Sequence, residues 1–206
     1  MVWAVLLAVV VGDVVAVLIF KRVLSLTHRR PEEAAKDRPS LWWLASLGLV
    51  WGWLTWRLAY EPWPILTLWL PLSAAFAWLA AIDVDVSRLP DRILLPTAVW
   101  TVLCIVLAMW ITGPSVGVDA PLAALLSAGG FGVIHFVGRG ELGFGDVKLA
   151  AIIGAATVTV SWEAVFYALI AACVLAIAWA VARRAERLAF GPWLALGAVM
   201  AVGLVP

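Results

Sequence analysis

Residues 63–91 read WPILTLWLPLSAAFAWLAAIDVDVSRLPD. The first twenty of these, 63–82, carry no charged side chain, and three aspartates, Asp83, Asp85 and Asp91, then follow in quick succession. A helix rises about 1.5 Å per residue, so a run of roughly 20 apolar residues matches the ~30 Å hydrocarbon layer of a bilayer. The stretch therefore predicts a membrane-spanning helix that delivers carboxylates to one membrane face.

The rest of the chain repeats the pattern. Apolar residues make up 65% and charged residues 13% of the 206 positions, whereas soluble domains run near half and a quarter. A soluble core of this size cannot bury so much apolar surface. Eight runs qualify as spans, at about 2–20, 41–58, 63–82, 93–112, 119–137, 147–160, 162–181 and 189–205. The expected fold is an all-α polytopic bundle of about eight spans, forming a single membrane-embedded domain over 1–206. The sixth run is short and directly follows Gly143-Phe144-Gly145, so either its start is partly unwound or the helix begins slightly earlier. Small residues such as Gly48-x-x-x-Gly52 allow close helix approach. Trp42, Trp43, Trp63 and Trp162 fall near span ends, where an interfacial belt places them.

The basic residues set an orientation. Thirteen of the fourteen fall in the loops after spans one, three, five and seven or at their edges, and Arg57 stands on the other side. The positive-inside rule then puts those loops in the cytoplasm and both termini outside. The first apolar run starts at Met1 with no basic segment before it, and Lys21 and Arg22 follow it, the order of an uncleaved anchor. The polar stretch 21–40 is too short for a soluble domain. A net charge of +1 without a basic, aromatic-studded patch gives no sign of nucleic-acid binding. Cys104 and Cys173 lie in apolar runs and form no CxxC pair, so neither a disulfide framework nor a metal site is expected.

Carboxylates near lipid need a reason. Glu32, Glu33, Asp37 and Glu186 read as solvated loop charges, as do Glu61, Asp119 and Glu163 in the outer loops. Asp83 ends a span that runs inward, with Asp85 two residues on. Asp91 follows Pro90 and suits an N-cap for span four. Asp146, after Gly143-Phe144-Gly145, begins a span that starts from the inside. Asp83 and Asp146 thus reach the same face at similar depth. Two carboxylates that converge share a proton, so one can activate a water while the other polarises a carbonyl. Helix caps or an ion path remain open as alternatives.

At these residues the sequence resembles the type IV prepilin peptidases, membrane-embedded aspartic peptidases of the Gly-x-Gly-Asp class. Ile82-Asp83 with Leu89-Pro90-Asp91 is similar to the family's first aspartate motif. Gly143-Phe144-Gly145-Asp146-Val147-Lys148, with Glu141 before it and Leu149 to Ala155 after it, is similar to the second. Phe190-Gly191-Pro192-Trp193-Leu194-Ala195-Leu196-Gly197 resembles the last span, and Gly12 to Arg22 faintly resembles the first. The resemblance implies removal of the basic leader from prepilins or pseudopilins after a glycine, at the cytoplasmic face of a bacterial inner membrane. It names Asp83 and Asp146 as the catalytic pair, with Asp85 as the fallback for the first. Gly143, Gly145, Lys148 and Glu141 become supporting candidates, Lys148 being placed to help hold Asp146 ionised. No cofactor is implied for this cleavage. Larger members carry a CxxC-bearing insertion after span one; loop 21–40 is short and has no cysteine, which leaves methylation by S-adenosylmethionine outside the expectation. The oligomeric state stays open. Asp13, inside span one, is either a functional intramembrane carboxylate or, the favoured reading, an interior group hydrogen-bonded to a neighbouring helix; His135, near the end of span five, is expected to be a hydrogen-bonded interior group rather than a ligand.

Overall fold

The computed structural model describes residues 1–25, 42–139, 142–184 and 188–205. Among the described residues there are eight α-helices: α1 (Val2–Leu24), α2 (Leu47–Arg57), α3 (Trp63–Val86), α4 (Asp91–Thr112), α5 (Ser115–Val137), α6 (Phe144–Thr157), α7 (Trp162–Arg183) and α8 (Gly191–Leu204). A 3₁₀ helix, Trp42–Ser46, leads into α2. Five helices, α1, α3, α4, α5 and α7, are long and apolar enough to cross a bilayer; α2, α6 and α8 are shorter. The chain is a multi-pass, all-α membrane protein, as its apolar runs predict.

The helices pair as neighbours in sequence: α1 with α2, α5 with α6, and α7 with α8. Helix α3 joins the pairs, packing on α1, α2, α4 and α8. It is the most enclosed of the long helices, with 56% of its span buried against 22% for α1 and α5. Trp69, Phe76 and Leu79 of α3 meet Leu149 and Ile153 of α6 and Leu194 of α8 in the main core. The outward faces are apolar: Leu7 and Leu18 on α1, Leu103 on α4, Leu125 on α5 and Ile177 on α7 are all exposed. A surface this greasy would aggregate in water, whereas in a bilayer it is the solvated face.

Small residues set the closest helix approach. A Cβ on Gly12 would stand 2.8 Å from Gly48 Cα, and one on Gly52 would stand 2.6 Å from Val9 Cγ2. The Gly48-x-x-x-Gly52 pair therefore forms the groove into which α1 packs. Between α4 and α5 the chain turns at Gly113, whose φ of 113° suits only glycine.

Three boundaries decide where the acids sit. Helix α3 runs on to Val86, so Asp83 and Asp85 lie within its last turn, and Ser87 ends it in a left-handed conformation (φ 52°) with its N–H on Asp83 O at 2.7 Å. Helix α6 begins at Phe144 and places Asp146 in its first turn. Helix α4 opens on the Pro90 carbonyl, which accepts from Ile93 and Leu94, so Asp91 is its first residue rather than its cap.

Candidate active site

Three chain segments meet at one end of the bundle: the last turn of α3, the first turn of α6 and the first turn of α8. Asp83 comes from α3 and is 4% exposed; Asp146 comes from α6 and is 7% exposed. Asp83 lies close enough to Asp146 to act on it electrostatically. The Gly191 N–H, at the start of α8, donates to Asp83 Oδ2 at 2.8 Å. The first N–H groups of a helix have no partner inside it and carry the positive end of its dipole. Helix α8 therefore offers Asp83 a charge-assisted hydrogen bond.

Asp146 is held from its own loop. Its N–H donates to Gly143 O at 3.0 Å, and its carboxylate folds back toward the Gly143 backbone amide. This is the geometry of a helix's third residue reaching its N-cap. A Cβ on Gly143 would come within 3.1 Å of Asp146 Oδ2, so a side chain there would crowd the carboxylate. Asp146 Oδ1 is buried without a hydrogen-bond partner among the described residues. An orphaned carboxylate oxygen is costly unless the site has a use for it.

Leu89, between α3 and α4, is the packing centre. A Cβ on Gly145 would meet Leu89 Cβ at 2.9 Å, and one on Gly191 would meet Leu89 Cδ2 at 3.3 Å. The absence of side chains at Gly145 and Gly191 lets α6 and α8 close on this leucine and bring both aspartates together.

The other candidates are distributed around the pair. Asp85 is also buried, but two residues along a helix is ~200° around it, and the charge reaching Asp146 is that of Asp83. Lys148 bonds Asp91 at 2.7 Å and lies 5.5 Å over the Phe144 ring. Its position two residues past Asp146 turns it toward α4, so it ties α6 to the start of α4 and serves Asp91 in place of the expected Asp146. Glu141 lies outside the described residues. His135 Nδ1 is 2.6 Å from Leu142 O and its ring meets Phe136 and Phe144 edge-on, which pins the loop before α6. Asp13 is exposed on α1, with its carboxylate against Gly48. Sequence reasoning missed the bond from Gly191 and the pairing of Lys148 with Asp91. The Phe190-Gly191-Pro192 signature announces a helix start, but nothing in it names a partner on α3.

A model of the type IV leader peptidase family matches residues 70–181, just over half of the chain. The chain belongs to the type IV leader peptidase family. The match holds both aspartates, while the Gly191 donor lies beyond it. A prepilin leader peptidase/N-methyltransferase of Pectobacterium carotovorum subsp. carotovorum is 32% identical over 147 residues, covering 66% of this chain and 51% of the relative. The chain thus spans about half the length of the curated relative it matches. No solved structure matches.

Proposed function

We propose that this family member is an intramembrane aspartic endopeptidase. It cuts the basic leader from type IV prepilins or pseudopilins after a glycine, at the cytoplasmic face, with 1–206 acting as a single membrane-embedded domain. The observation that carries the reading is the meeting of Asp83 and Asp146, from distant parts of the sequence, in one buried site with a backbone N–H on the first and an unpartnered oxygen on the second. Ion conduction or simple capping does not require that convergence.

In the proposed cycle one carboxyl of the pair is protonated and polarises the scissile carbonyl. The other accepts a proton from a water, whose oxygen attacks the carbonyl carbon. The tetrahedral intermediate collapses as the leaving amine takes a proton from the pair, breaking the C–N bond. The Gly191 and Gly143 backbones fix the carboxylates, so little reorganisation accompanies charge movement. Neither step uses a cofactor, and methyl transfer is not part of the proposal.

The test is co-expression with a prepilin, scored by leader removal on gels. Asp83→Asn and Asp146→Asn each abolish processing with normal membrane insertion, while Asp85→Asn still processes. Near-normal cleavage by Asp83→Asn or Asp146→Asn sinks the dyad; loss with Asp85→Asn but not Asp83→Asn moves the first aspartate. Labelling of Ser87→Cys from the cytoplasm alone supports the orientation, with both termini outside; labelling only from outside inverts it.

A further inference from the structure

Helices α1 and α4 both pack on α3 but make little contact with each other. Between them lies a cavity of about 770 Å³, floored by Ala75 and Trp78 of α3 and walled by residues that include Trp51 and Trp100. This volume is within the range of small-molecule sites. Two cations line it, Arg22 in the last turn of α1 and Arg92 in the first turn of α4. Val23, Val86 and Ile93 pack in one cluster, which puts both arginines at the end of the bundle where α3 gives way to α4, the end that also carries Asp83.

Three polar groups of the walls are satisfied within the protein. Trp51 Nε1 donates to Ser73 Oγ at 3.1 Å, Trp100 Nε1 to Thr67 O at 3.3 Å and Thr97 Oγ1 to Ile93 O at 2.7 Å. Neither guanidinium has an ion pair among the described residues. An apolar trough with two arginines at its membrane-surface end, neither ion-paired among the described residues, is complementary to an amphiphile with an anionic head. We propose that this groove is a binding site for an anionic phospholipid, its acyl chain against Trp51, Trp78 and Trp100 and its phosphate between Arg22 and Arg92. Basic pockets between membrane helices recognise such head groups through charge, and guanidinium matches phosphate geometry. A zwitterionic lipid brings its own cation next to the arginines and is disfavoured. The proposal does not depend on the peptidase reading.

The groove tryptophans supply the test. The full chain is reconstituted in phosphatidylcholine vesicles and titrated with dibrominated phosphatidylglycerol or dibrominated phosphatidylcholine, and tryptophan quenching is read as the difference between wild type and Trp100→Phe. Phosphatidylglycerol is expected to be preferred roughly thirtyfold, the order set by two arginines at a membrane surface. Arg22→Gln/Arg92→Gln brings the preference to about one, and Ala75→Phe removes the selective quenching by filling the floor. Arg183→Gln/Arg184→Gln, outside the groove, leaves it unchanged. Unbrominated phosphatidylglycerol displaces the quencher from the wild-type chain, which needs no variant. Equal quenching by both lipids overturns the proposal. So does an equal effect of the Arg183/Arg184 pair, which means diffuse charge, an unaffected Ala75→Phe variant, or displacement by a prepilin segment but not by phosphatidylglycerol.

Discussion

Replacing Gly191 by alanine isolates the contact between α8 and Asp83. A Cβ there would stand 2.9 Å from Asp83 Oδ2, 3.4 Å from Asp83 Cβ and 3.3 Å from Leu89 Cδ2. All three are side-chain atoms, so the clash is relieved by movement of the carboxylate and the leucine rather than of backbone. The fold is therefore expected to survive, helped by alanine's better helix propensity. The site is not. Relief of the contact moves the carboxylate by about 0.5 Å, and the bond from the Gly191 N–H, now 2.8 Å, stretches past the ~3.2 Å at which such bonds weaken. A hydrogen bond to a charged group contributes roughly 1.5–3 kcal/mol. If that stabilisation is realised in the transition state, its loss slows processing about ten- to a hundredfold. Initial rates of leader removal, measured over a range of prepilin concentrations with the purified variant, should show the loss mainly in kcat, because the contact aims a reacting group. Thermal unfolding in detergent should stay near wild type, and Gly129→Ala, whose Cβ would meet nothing within 4 Å, should leave both readouts unchanged. A Gly191→Ala enzyme within twofold of wild type would refute the role given to α8. A rate loss matched by collapse of the fold would refute the separation of site from scaffold.

Two further outcomes test the scaffold. Gly48→Ala drives a Cβ into the Asp13 carboxylate and to 2.7 Å from the Val9 carbonyl, whereas Gly52→Ala meets the Val9 Cγ2 methyl at 2.6 Å; the first should cost about 1–3 kcal/mol and the second less, read as unfolding midpoints in detergent, and the reverse order would contradict the packing of α1 on α2. Lys148→Met removes an ion pair whose side chains are 42% and 72% exposed, so stability should fall by less than about 1 kcal/mol and processing by only a few-fold; complete loss of cleavage would mean that Lys148 acts on the aspartates directly.

How much of this was legible beforehand differs between scaffold and site, for a physical reason. Apolar runs announce membrane helices because the bilayer leaves the backbone few other ways to satisfy its hydrogen bonds; Trp63–Val86 is read almost to its ends from composition alone. The ends themselves are set by local competition that composition does not display. Helix α3 continues past Ile82 because Asp83 and Asp85 are buried among neighbouring helices, so the first charged residue does not mark the membrane surface. Helix α6 starts at Phe144, with Asp146 reaching back toward Gly143, a motif that looks from sequence like an ordinary capping acid three residues out of place.

The pairing of Asp83 with Asp146 was inferable from the face each must reach, since topology fixes depth. Direction around the helix axis is a separate variable. It sends Lys148 to Asp91 and brings Gly191 to Asp83, and neither follows from hydropathy. What the sequence does carry is the absence of side chains at Gly143, Gly145 and Gly191. Each would press on Asp146, Leu89 or Asp83 if it bore a Cβ. In a bilayer no hydrophobic force draws helices together, so close packing has to. Glycines placed at the starts of α6 and α8 therefore do two things at once: they let three helix ends converge, and they leave the space in which two carboxylates can face one another. The same logic separates these positions from Gly48 and Gly52, which meet α1 and no aspartate of the pair, and it is why substitution at Gly191 should reach chemistry where substitution at Gly48 reaches stability.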